Sequence, residues 1–158
     1  MTKFLRWMVK SAASGKLAGT ATAATAAACG FMENGNAIAP LNAVSHIIWG
    51  EDAVRARAFS VKYTLVGLFL NDAATASWAA LHRQWFGAAV ERRDAPASLA
   101  GGAAVACLAY LMDYHVVPKR LTPGFEKHLS RRSLFLIYVV LALTLGLSGL
   151  LTEKASGD

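Results

Sequence analysis

Apolar positions along the chain fall into four long runs separated by short charged or polar stretches. The clearest covers residues 133–151, which hold no charged side chain and are apolar on every helical face. A run of about 20 such residues crosses the hydrocarbon core of a bilayer as a helix. Arg131 and Arg132 before it, and Glu153 and Lys154 after it, mark its ends. A second run covers 61–86. Lys62 and Tyr63 stand at its start and Trp78, Trp85 and Phe86 toward its end, where interfacial aromatics belong. Its interior breaks the apolar rule at Asn71 and Asp72. A third run covers 97–117, entered by Pro96 and left by Pro118. Proline suits a first helical turn, where its missing N–H has no partner to lose, and the region just past a helix end. The short loop Glu91-Arg92-Arg93-Asp94 makes the second and third helices antiparallel neighbours.

The first run, 16–33, is mostly Ala, Thr and Gly. These insert less readily than Leu or Ile, so this helix is expected to pack against others. Gly15, Gly19, Ala23 and Ala27 recur every four residues and form one smooth stripe. Stripes of this kind let helix backbones approach closely in membranes. Asn34-Gly35 is a plausible stop, because glycine accepts the left-handed conformation past a helix C-terminus. Between the runs, residues 37–49 place Leu41, Val44, Ile47 and Ile48 at helical spacing, which predicts an amphipathic helix in the interface plane. Thr122-Pro123 resembles a further helix start, with Thr122 as N-cap. The expectation is a single all-α domain over 1–158: an integral membrane four-helix bundle with short amphipathic interfacial connectors.

Composition sharpens this picture. Hydrophobic residues make up 55% and charged residues 16%, against about 25% charged in typical soluble domains. A chain this small has too few polar groups to cover a soluble surface. The net charge is +6, but the cations flank the apolar runs, where headgroups sit, instead of forming a solvated basic face. Nucleic acid is therefore excluded as a partner. Cys29 and Cys107 lie inside apolar runs and imply no disulfide framework. The basic start followed by Ala26-Ala27-Ala28-Cys29 has the layout of a cleavable leader, yet its Leu-poor apolar stretch favours a retained helix.

With four crossings, Lys3, Arg6, Lys10, Lys16, Arg83, Arg92, Arg93 and Lys154 share one side. Arg55, Arg57, Lys62, Lys119, Arg120, Lys127, Arg131 and Arg132 share the other, so the positive-inside count is tied. The usual dominance of the first helix tips the N-terminus to the inside.

Ionisable groups within a span are costly and face the interior of the helix bundle, which makes Asp72 the first candidate for chemistry. It is also a candidate for plain helix-to-helix hydrogen bonding. The topology brings Glu33, His46, Asp113 and His115 toward one face, with Asp72 deeper beneath them. Acids and imidazoles together bind a divalent metal or relay protons; the competing reading is a set of polar residues at helix ends. His82 and His128 are expected at headgroup level. No deep histidine pair supports haem. There is no HExxH, paired CxxC, GxSxG, Walker A or GxGxxG, so no resident cofactor is expected, and a membrane enzyme ranks third among the functional readings.

Two stretches, Ser45-His46-Ile47-Ile48-Trp49-Gly50-Glu51 and Asp113-Tyr114-His115-Val116-Val117-Pro118-Lys119-Arg120-Leu121-Thr122-Pro123-Gly124-Phe125-Glu126, resemble segments of a family of small, uncharacterised bacterial inner-membrane proteins. The resemblance implies a multi-pass protein of the bacterial inner membrane and carries no activity. The functional expectation is a non-enzymatic accessory or assembly component packing against a membrane-protein partner or its own copies. The alternative is a proton or metal-ion protein using Asp72 and the acid–histidine group.

Overall fold

The computed structural model describes residues 2–154, with side-chain surroundings through residue 148. Its helices are α1 (Lys3–Asn34), α2 (Ala39–Val44), α3 (His46–Trp49), α4 (Glu51–Arg55), α5 (Val66–Glu91), α6 (Ala95–Leu111) and α7 (Arg131–Lys154). A π turn, Val61–Leu65, leads into α5, and another, Met112–Val116, continues α6. Two 3-10 turns, Lys119–Leu121 and Phe125–Lys127, precede α7. No strand occurs among the described residues.

The first helix begins at Lys3, well before residue 16 where the apolar run suggests. Thr2 takes an extended backbone and its side chain accepts from Leu5 N at 3.3 Å, an N-cap. Lys3, Arg6 and Lys10 thus belong to the helix itself, at spacings that place them near one face. Its end is as expected: Gly35, at φ 64°, turns its N–H back to the carbonyls of Gly30 and Phe31. Asp94 caps α6 by accepting from Ala97 N at 3.1 Å, with Pro96 in the first turn.

The four long helices lie side by side. α5 and α7 both flank α1, and α6 packs on α5 and α7. Their shared interior is built from small residues. Ala18, Ala79, Val105, Ala106 and Ala109 meet Tyr138, Leu141 and Leu145 in one cluster; Ala23, Ala26 and Cys29 meet Leu41, Val44, Phe125 and Ile137 in another. Cys107 lies on the outside of α6.

The connectors depart from the expected amphipathic helix. Residues 37–49 form two short helices, α2 and α3, broken at Ser45, and every residue of α2 is buried. Asn42 explains this inward position. Its amide donates to the carbonyls of Ala56 (2.9 Å) and Ala58 (3.0 Å), and its oxygen accepts from Thr64 Oγ1 at 2.6 Å. Thr122 does not cap an α-helix either. Gly124, at φ 88°, sits against the Ala43 carbonyl and the His46 ring, with no room for a side chain. The Thr122 hydroxyl lies instead 2.5 Å from Glu126 Oε1.

Among the described residues, two helices are long and apolar enough to cross a membrane, Ala95–Val116 and Arg131–Ser148. The sequence expectation was four. α1 and α5 have the length but not the hydropathy, α1 because it is Ala, Thr and Gly with several lysines, α5 because it holds Asn71, Asp72, His82 and Arg83.

Candidate functional site

The α1–α5 seam concentrates the residues that stand out in the sequence. Gly15 lies against the backbone of Ala76, and Gly19 against the side chains of Asp72 and Thr75; a Cβ at either position would collide. Removing both Cβ atoms lets the helices meet at their backbones and bares the glycine carbonyls. Thr75 Oγ1 donates to Gly15 O at 2.9 Å, and Asn71 Nδ2 donates to Gly19 O at 2.9 Å. Asn71 and Thr75 are one helical turn apart, so both reach the same stripe. Ala23 is buried farther along the stripe and Ala27 is half-buried.

Asp72 lies at the edge of this seam. Its Oδ2 is 2.5 Å from Lys16 Nζ, and the side chains are 28% and 69% exposed. The pair therefore opens to the outside of the helices. Beside it runs a groove of about 350 Å³ walled by small residues, among them Gly19, Thr20, Ala23 and Ala24. Lys16 was not singled out in the sequence because it reads there as a flanking charge. With α1 starting at Lys3 it stands mid-helix, about 20 Å from the first residue at 1.5 Å rise per residue.

The acid–histidine group lies toward the connector end of the molecule, but its members hold different partners. Glu33 accepts from Ser130 N (2.8 Å), Ser130 Oγ (2.7 Å) and Ser133 Oγ, so it caps the start of α7 from the end of α1. A carboxylate is favoured there by the unpaired N–H groups and the helix dipole. His46 is buried, and its Nδ1 donates to Ala43 O at 2.8 Å. Asp113 accepts from Tyr138 OH at 2.6 Å. His115 is exposed and lies against the Tyr110 ring, centroids 5.6 Å apart. Among the described residues no three His, Cys, Asp or Glu side chains gather as a metal site.

Other polar residues form ties that the sequence reading did not identify. His82, expected at headgroup level, is buried, and its Nε2 donates to Ser98 O at 3.1 Å. Ser98 Oγ in turn donates to Gly146 O at 2.8 Å, linking α5, α6 and α7. Gly102 and Gly146 make the same close approach between α6 and α7 that Gly15 and Gly19 make in the first seam. His128, also expected among headgroups, donates from Nε2 to Val54 O at 2.9 Å. The legible signal was the pairing of small residues with Ser, Thr and Asn inside apolar runs; the register that matches them is tertiary.

Searches against protein-family models, curated proteins and solved structures find no match for this chain.

Proposed function

We propose that this chain is a multi-pass bacterial inner-membrane protein with a non-enzymatic role, an accessory or assembly component that holds a partner through its helices. The observation that carries this reading is the inverted distribution of polarity. Asn71, Thr75, His82 and Arg83 of α5 are buried, whereas Phe69 and Phe135 are 70% and 69% exposed. Leu111, Leu136, Leu143 and Leu147 are exposed with them. Lipid accepts such an apolar exterior, and the interior must then satisfy the polar groups. On this reading the low hydropathy of α1 and α5 reflects groups that face other helices, and both helices cross beside α6 and α7.

The accessory role is supported by what the candidate residues touch. Glu33, His46 and Asp113 each have a hydrogen-bond partner that fastens one element to another. Outward from α1, Ala13, Leu17, Thr20, Ala24 and Ala28 are exposed, a smooth side beside the Lys16–Asp72 pair. A second helix can approach such a surface closely. Purification of the full chain in mild detergent, with mass spectrometry of proteins and metals, tests the proposal. A larger membrane complex should co-purify. A chain that purifies alone, without protein partners or copies of itself, and moves protons or divalent metal in liposomes would establish the transport reading instead.

A further inference from the structure

Where α1 begins and α5 ends, a cavity of about 780 Å³ opens between the two helices. Its wall carries four cations, Lys3, Arg6 and Lys10 from α1 and Arg83 from α5, against one carboxylate, Glu91. Phe4 and Trp7 line the same cavity, their rings stacked with centroids 6.3 Å apart. Phe4 is 68% exposed. Gly87 keeps the α5 side open: the nearest atom a Cβ there would meet is Arg83 Cγ, at 3.8 Å.

We propose that this cavity binds the headgroup of an anionic phospholipid. The inference rests on the membrane reading above. The excess of cations over carboxylates in the lining, with Lys3 and Arg6 exposed, favours a phosphate-bearing ligand over a neutral or cationic one. The cavity is far larger than a single phosphate ion, and the stacked Phe4–Trp7 pair beside the cations, Phe4 exposed and Trp7 half-buried, suits the boundary where headgroup gives way to acyl chain. Basic pockets between helices at a membrane surface take anionic headgroups in this way.

The test uses the full chain reconstituted into phosphatidylcholine vesicles with and without phosphatidylglycerol, then re-extracted, with retained lipid identified by mass spectrometry. Wild type should retain phosphatidylglycerol in preference to phosphatidylcholine. Each surface Lys or Arg contributes about fivefold to such binding, so the double variant K3Q/R6Q should lose about 25-fold of the preference. K119Q/R120Q removes the same charge from the other end and should keep it. Lys3 and Arg6 are exposed near the helix start, and unchanged thermal unfolding would show that K3Q/R6Q still folds. Equal retention of the two lipids, equal loss in both variants, or displacement of the lipid by orthophosphate alone would overturn the inference. Failure to enter phosphatidylcholine vesicles overturns the membrane reading and the inference with it. Entry without lipid preference overturns the inference alone.

Discussion

Asp72 was visible in the sequence because a carboxylate interrupts an otherwise apolar run. Its partner was not, because ion pairing between helices depends on register, and Lys16 lies 56 positions away in the chain. The pair makes a forecast about single residues. Asp72→Asn should preserve the fold, since an amide oxygen still accepts from the Lys16 ammonium. Asp72→Leu and Lys16→Met should each lower the thermal midpoint in detergent by leaving one charge alone. The double variant Lys16→Met/Asp72→Leu should lose less than the sum, because an apolar pair often replaces an ion pair at little cost. The coupling expected for residues in direct contact is about 0.5–3 kcal/mol. Strict additivity across this cycle would show that the two charges do not depend on one another. Glu33, His46, Asp113 and His115 were read from the topology as one group near one face, yet each has its own partner or neighbour. Their separate partners were illegible because most are backbone carbonyls, serines and a tyrosine, which no spacing rule distinguishes.

Among the elements, the long helices were legible from hydropathy and their proline and glycine stops. The errors arose where charge or burial overrode pattern. Three basic residues before Lys16 looked like a flank, yet they extend α1 behind the Thr2 cap. The apolar spacing of residues 37–49 looked like an interface helix, yet Asn42 anchors α2 inward. The small-residue stripe is the element-scale feature with the sharpest consequence. Gly19→Leu adds bulk where Asp72 and Thr75 already sit, and overpacking typically costs about 1–3 kcal/mol. The variant should unfold at lower temperature, while Ala28→Leu on the exposed side of α1 should not. Equal behaviour of the two would remove the seam from the account. Glu33 makes a second forecast at this scale. Glu33→Ala strips a charged cap from the start of α7 and should destabilise by about 0.5–2 kcal/mol, whereas Glu33→Gln should recover part of the loss. A Glu33→Ala melting curve matching wild type would show that α7 does not need this cap.

For the whole molecule, the all-helical architecture followed from composition and run length alone. The number of crossings did not: among the described residues two helices are long and apolar enough to cross a membrane, and α1 and α5, with their internal polar groups, fall short in hydropathy. The four-crossing reading predicts alternating accessibility for reporter fusions after Gly35, Ala88, Leu129 and Asp158. Ala88 and Asp158 should report one side, Gly35 and Leu129 the other. A shared signal at Leu129 and Asp158 would mean that α7 does not cross.

The bond from Glu33 to Ser130 and Ser133 joins the end of the first long helix to the start of the last, about a hundred positions on. α1 also packs along α7, so one of its two sides has no native neighbour until α7 has been synthesised. Contacts this distant along the chain form late, because a long loop must close before they can. Assembly should therefore pass through a stage in which α1, α5 and α6 have met while the α7-facing side of α1 is still open. On the proposed membrane reading, α1 is available during that interval to other helices in the same bilayer, which makes the order of synthesis itself a determinant of what this protein first touches.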